Sequence, residues 1–124
     1  MDYRKAFSSF SVDNLDRAEA FYRETLGVSV TRNQFGIDAR LKGGQHVFVY
    51  PKSDHVPATF TVLNLMVDDI EAAVDVLSEA GISFEQYADG EMKPDERGIH
   101  RGGGMEMAWF RDPAGNYISL IEQK

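Results

Sequence analysis

The chain has 124 residues, 43% of them hydrophobic and 27% charged, which is enough for one domain with its own core and too apolar for a disordered segment. Thirteen Lys and Arg against 20 Asp and Glu leave a net charge of −7, which argues against nucleic acid and anionic membranes as partners. Cysteine is absent, so disulfides, thiolate metal sites and cysteine nucleophiles are excluded.

No apolar run reaches the ~18 residues of a membrane span, and Met1-Asp2-Tyr3-Arg4-Lys5 lacks the apolar stretch of a signal peptide. A cytoplasmic location is expected. In chain order, Arg4 to Val12 reads as a strand. Asp13 is the expected N-cap of a first helix, because its carboxylate can accept orphan amide hydrogens of the first turn. Leu15, Ala18, Tyr22 and Leu26 form that helix's apolar stripe, and Gly27 stops it. Val28–Thr31, Ile37–Leu41 and His46–Tyr50 read as three strands, with Gly43-Gly44 as a turn. Residues 51–58 form a polar linker.

The pattern then recurs. Thr59–Val67 is a strand, and Asp68 caps a second helix, with Glu71 completing a capping-box variant. Ile70, Ala73, Val74, Leu77 and Ala80 make its stripe, and Gly81 ends it. Val12 falls on Val67, Asp13 on Asp68, Ala18 on Ala73 and Glu24 on Glu79, so the chain is an internal repeat. Ile82–Glu85 reads as a strand and Tyr87–Gly104 as a long irregular segment. Met105–Arg111 and Tyr117–Glu122 are the last two strands, joined by a tight turn at Asp112-Pro113-Ala114-Gly115-Asn116. The class is α+β, with the order βαβββ occurring twice, in modules of about 1–52 and about 58–124.

Several motifs carry a resemblance over nearly the whole chain. They are Val12-Asp13-Asn14-Leu15 with Phe21-Tyr22 and Leu26-Gly27, then Val67-Asp68-Asp69-Ile70, then Phe110-Arg111-Asp112-Pro113-Ala114-Gly115-Asn116. In these the sequence resembles the vicinal oxygen chelate superfamily of glyoxalases, bleomycin-resistance proteins and extradiol dioxygenases. The resemblance implies a single domain over residues 1–124. Its two modules form a curved mixed sheet around a cleft, with helices outside, and homodimers are common. Carried over one position at a time, the metal ligands of the metal-dependent members fall on Phe7, Val49, Val62 and Ser119. A one-residue slip gives Ala6 or Ser8, Phe48 or Tyr50, Thr61 or Leu63, and Ile118 or Leu120 instead. None of these side chains suits a divalent cation, which wants imidazole or carboxylate. No metal and no cofactor are therefore expected.

Alternation sorts the strands. It sends Phe7, Ser9, Val62, Asn64, Met66, Trp109, Tyr117 and Ser119 to the cleft, and the resemblance adds Val49; the wall is apolar with a few hydroxyls and one amide. Met and aromatic residues in such positions also serve as plain core. Arg97, His100 and Arg101 lie in the long segment, which can close over a ligand as a lid. The candidate binding residues are Ser9, Asn64, Met66, Arg101, Trp109, Tyr117 and Ser119; no catalytic residue is assigned. The expected function is metal-independent binding of a small, partly apolar and anionic organic molecule, as in the bleomycin-resistance branch. The competing expectation is a glyoxalase- or dioxygenase-like lyase or oxidoreductase with a relocated metal, built from His46, His55 or His100.

Overall fold

The computed structural model describes all 124 residues. It consists of two compact units, Met1–Pro57 and Ala58–Lys124. No helix is long and apolar enough to cross a membrane.

The first unit contains β1 (Ser8–Val12), α1 (Leu15–Ala20), β2 (Ser29–Asn33), β3 (Gly36–Arg40) and β4 (His46–Pro51). Its sheet has the order β1-β4-β3-β2, with β1 parallel to β4 and the other pairs antiparallel. The expected strand at Arg4 starts only at Ser8. Ser8 pairs with Val47, at the start of β4, so residues 4–7 have no strand beside them. Asn14, not Asp13, caps α1 and accepts from the Arg17 amide at 3.0 Å. Two adjacent capping residues leave that choice open by one position, and the buried face settles it. The helix continues as a π-helical turn, Phe21–Thr25, before Gly27 takes φ 69°. Phe21 and Tyr22 are thereby both buried, ring edge to ring face at 5.1 Å.

Val49 departs from the cleft position that the resemblance implies. It is fully buried in the core with Val12, Ile37 and Val47. In register it lies beside Phe10, whose ring packs on Tyr22 of the helix side at 6.1 Å. Phe48 and Tyr50 therefore take the opposite face, level with Ser9 and Ser11.

The second unit contains β5 (Thr61–Met66), α2 (Ile70–Glu79), β6 (Lys93–Pro94), β7 (His100–Gly102), β8 (Met105–Arg111) and β9 (Tyr117–Gln123). The sheet order is β5-β9-β8-β7-β6, and β5 runs parallel to β9. The repeated βαβββ order holds, since β5-β9-β8-β7 reproduces β1-β4-β3-β2. The second strand of this module is not Ile82–Glu85. β7 holds the edge of β8 from Met105 to Met107, leaving one bond, Glu85 N–H to the Trp109 carbonyl, at 2.8 Å. The segment expected to be irregular thus contributes two strands.

Asp69, not Asp68, caps α2 through the Ala72 amide at 3.1 Å. The Ile70 amide finds Glu122 at 2.8 Å. With this cap Glu71 falls one position short of closing a capping box, and it binds Arg97 instead. Ile70, Val74 and Leu77 of α2 are buried, as are Leu63, Ala108, Phe110, Ile118 and Leu120 of the sheet. Burying each large side chain stabilises the unit by roughly 1.5–3 kcal/mol. That burial fixes which sheet face meets the helix and leaves the other face for a site.

Candidate functional site

The open face of the second unit is set by alternation. Since Ala108, Phe110, Ile118 and Leu120 are core, Met107, Trp109, Tyr117, Ser119 and Ile121 lie on the other side. On β5 a register shift between Thr61 and Leu63 resets the phase, leaving Val62 at the bulge. Thr61 pairs with Tyr117, and its hydroxyl accepts the Trp109 indole N–H at 3.2 Å.

A pocket of about 280 Å³ opens here, lined by Thr59, Phe60, Thr61, Tyr87, Trp109 and Tyr117. Three rings stand behind it. Tyr87 meets Trp109 at 5.6 Å and 69°, and His100 meets Trp109 at 5.0 Å and 86°. Tyr87 lies 5.7 Å from His100. His100 is buried and fully used. Its Nδ1 donates to the Gly98 carbonyl and its Nε2 accepts from the Tyr87 amide, both at 2.9 Å, so the Nδ1–H tautomer is required. Gly98 makes this possible with φ 86°; a Cβ there would lie 2.8 Å from the Phe84 Cβ. Burial, followed by the Glu85 charge and Tyr117, holds the Tyr87 phenol above its ordinary pKa and so protonated. Arg111 lies 4.8 Å over the Tyr117 ring and binds Glu85 at 3.1 Å.

The expected site residues divide accordingly. Trp109 and Tyr117 line the pocket. Asn64, Met66 and Ser119 share its sheet face, with Met66 69% exposed. Ser119 is buried, and its hydroxyl donates to the Asn64 amide oxygen at 2.6 Å. Ser9 belongs to the first unit and is exposed. Arg101 lies on β7, gripped by Asp95 at 2.8 Å and Glu106 at 2.6 Å. Burial raises the Asp95 carboxyl, but hydrogen bonds from Arg101 and the Ile99 and Arg97 amides outweigh it and hold its pKa below the ordinary value. Arg97 is tied to Glu71 and Asp75 of α2. The cations of the segment expected to close over a ligand, Arg97 and Arg101, are thus each paired with carboxylates. Thr59, Phe60, Thr61 and Tyr87 are absent from the expected cleft wall, because a bulge and a folded-back segment bring them in.

The positions carried over for a metal do not fit one. Phe7 precedes β1 and is 65% exposed, Val49 is core, Val62 sits at the bulge, and Ser119 is bonded to Asn64. No group of three or more His, Asp or Glu side chains could hold a metal ion. His46 Nδ1 lies 3.3 Å from Asp38, and His55 Nδ1 bonds Ser11 at 2.7 Å.

The family model for the Glyoxalase/Bleomycin resistance protein/Dioxygenase superfamily matches residues 7–120. No curated protein matches the chain. Among solved structures, TnmS3, an antibiotic binding protein from Streptomyces sp. CB03234, is 24% identical, with a TM-score of 0.69 and 100% of both chains covered. UcmS2 is 21% identical, with a TM-score of 0.73 over 98% of each chain. Lactoylglutathione lyase from Agrobacterium tumefaciens is 22% identical, with a TM-score of 0.66 over 98% of this chain and 96% of its own. Likeness at this level of identity establishes a shared fold and leaves the chemistry to the site residues.

Proposed function

Since this chain belongs to the Glyoxalase/Bleomycin resistance protein/Dioxygenase superfamily, we propose that it is a cytoplasmic small-molecule-binding protein that works without the metal of the enzymatic members. The observation that carries this is the pocket of about 280 Å³, four of whose six lining residues are aromatic. Such a wall suits an organic ligand, and the volume sits near the lower end of ligand sites, which run from roughly 300 Å³ upward. TnmS3, described as antibiotic binding, offers a precedent on the same fold. The competing reading, a lyase or oxidoreductase with a relocated metal, needs converging imidazoles and carboxylates, and its best candidate, His100, has both nitrogens engaged. An anionic ligand finds Arg97, Arg101 and Arg111 already paired with carboxylates.

Trp109 is the only tryptophan, so its emission reports on the pocket alone. Titrating a panel of small aromatic and aliphatic organics should give a saturable emission change for some of them, weakened in Tyr117→Ala and Thr61→Val. Arg101→Ala, Ser9→Ala and Asn64→Leu test the remaining candidates in the same assay. A folded protein whose emission no compound moves would end this reading.

The proposal includes a homodimer. Phe7, Phe35 and Met66 are all about two-thirds exposed, and self-association would remove such surface from water. Sedimentation at tens of micromolar should give twice the 13.9 kDa chain mass; a monomer mass would refute this part.

A further inference from the structure

The pocket walls are four π systems and two threonines. Aromatic rings carry a negative face and a positive edge, and cations bind over such faces within about 6 Å of the centroid. Tyr87 and Trp109 meet at 69°, so the two rings form a corner, with Phe60 and Tyr117 lining the same space. The molecule already uses one of these rings in this way: the Arg111 guanidinium lies 4.8 Å over Tyr117.

The surrounding charge has the matching sign. Glu85 binds Arg111 and so offsets the cation that stands nearest the pocket. Lys93 donates to the Ala88 carbonyl, and Arg101 is shared by Asp95 and Glu106. No lysine or arginine lines the pocket. The net charge of −7 adds a long-range field that draws cations and repels anions. An uncharged apolar ligand would use the same walls but gain nothing from that field.

Resting on the pocket reading above, we propose that the ligand is a small organic cation, of the quaternary or tertiary ammonium class, whose charged group sits against the Tyr87–Trp109 corner. The aliphatic substituents of such a cation make van der Waals contact with the rings. In the quaternary case the charge is spread over the methyl or methylene groups and needs no hydrogen-bond acceptor. The pocket supplies π faces in place of a carboxylate, which keeps desolvation modest.

The test uses the whole chain, with choline and 3,3-dimethylbutan-1-ol as probes. The two have the same shape, with a quaternary carbon replacing the charged nitrogen. Calorimetry and Trp109 emission should both show choline binding more tightly, by roughly 2- to 30-fold, the range expected of a cation–π contact. The preference should shrink in Tyr87→Leu, followed by calorimetry. Equal affinity for the two probes would overturn the charge assignment while leaving the pocket in place. So would failure of both probes alongside saturable binding of another panel compound. A choline preference unchanged in Tyr87→Leu and in Trp109→Leu would place the cation elsewhere and also overturn it. Silence from the entire panel would remove the pocket reading itself, and this one with it.

Discussion

Replacing His100 with alanine is expected to destabilise the protein by about 3–5 kcal/mol and to loosen the pocket. The side chain is 1% exposed, so its removal leaves a cavity that the sheet can only partly collapse. It also orphans two backbone groups, the Tyr87 N–H and the Gly98 carbonyl, each at a cost of roughly 1–3 kcal/mol if neither reaches water. The Tyr87 amide bond is what holds the segment after Glu85 against Trp109. Without it, Trp109 should become wetter, and its emission should shift to longer wavelength before the unfolding transition begins. Denaturant unfolding measures the first effect and native-state emission the second. His100→Gln retains a donor and an acceptor, so its loss should be smaller. A cost under about 1 kcal/mol for His100→Ala, with unshifted emission, would show that the imidazole is not the pocket's support.

The parts of this fold that were legible in the sequence are those set by local chemistry. The repeat around Val12 and Val67, the glycines closing each helix and the Asp112–Asn116 turn all follow from residues a few positions apart. Trp109 and Tyr117 were legible because Ala108, Phe110, Ile118 and Leu120 declare the buried phase of their strands. On β4 no such contrast exists. Val47, Phe48, Val49 and Tyr50 are all apolar or aromatic, and only the pairing of Phe10 with Val49 decides that the valines go inward. The bulge at Val62 is similarly invisible, since nothing in Thr61-Val62-Leu63 marks an extra residue.

The longer segment shows the same limit in charge. Arg97 looks available in sequence because its partners lie 22 and 26 residues away. Arg101 does so because its nearby partners, Asp95 and Glu106, meet it only once its segment pairs as a strand. Asp75 and Glu71 arrive from α2, and Glu106 arrives through the pairing of β7 with β8. His100–Gly102 is a strand only because β8 offers it an edge; its own residues have no strand pattern. Four residues of the pocket, Thr59, Phe60, Thr61 and Tyr87, depend on these tertiary events, which is why only Trp109 and Tyr117 of the six were visible.

The second large effect is expected at Asp112. Its carboxylate accepts from the Ala114 amide at 3.0 Å, the Asn116 amide at 2.8 Å and the Asn116 side-chain amide at 3.2 Å. Asp112 and Asn116 are both buried, so none of these donors can turn to water. Asp112→Ala leaves two buried backbone amides without an acceptor, at roughly 1–3 kcal/mol each, for an expected loss of about 2–5 kcal/mol. Asp112→Asn keeps one oxygen for the backbone but turns an amide donor toward the Asn116 amide; its cost should be about 1–3 kcal/mol. The turn also reaches the pocket from two sides. Tyr117 follows it directly, and the Asn116 side-chain oxygen accepts from the Ala58 amide at 3.4 Å, just before Thr59 and Phe60. Ligand binding should therefore weaken in Asp112→Ala at temperatures where the variant is still folded. Phe110→Ala is the matched control: it removes core from the helix side at a comparable ~3–5 kcal/mol but leaves the turn intact. Equal loss of affinity in the two variants would mean that stability alone, and not this tether, governs the pocket.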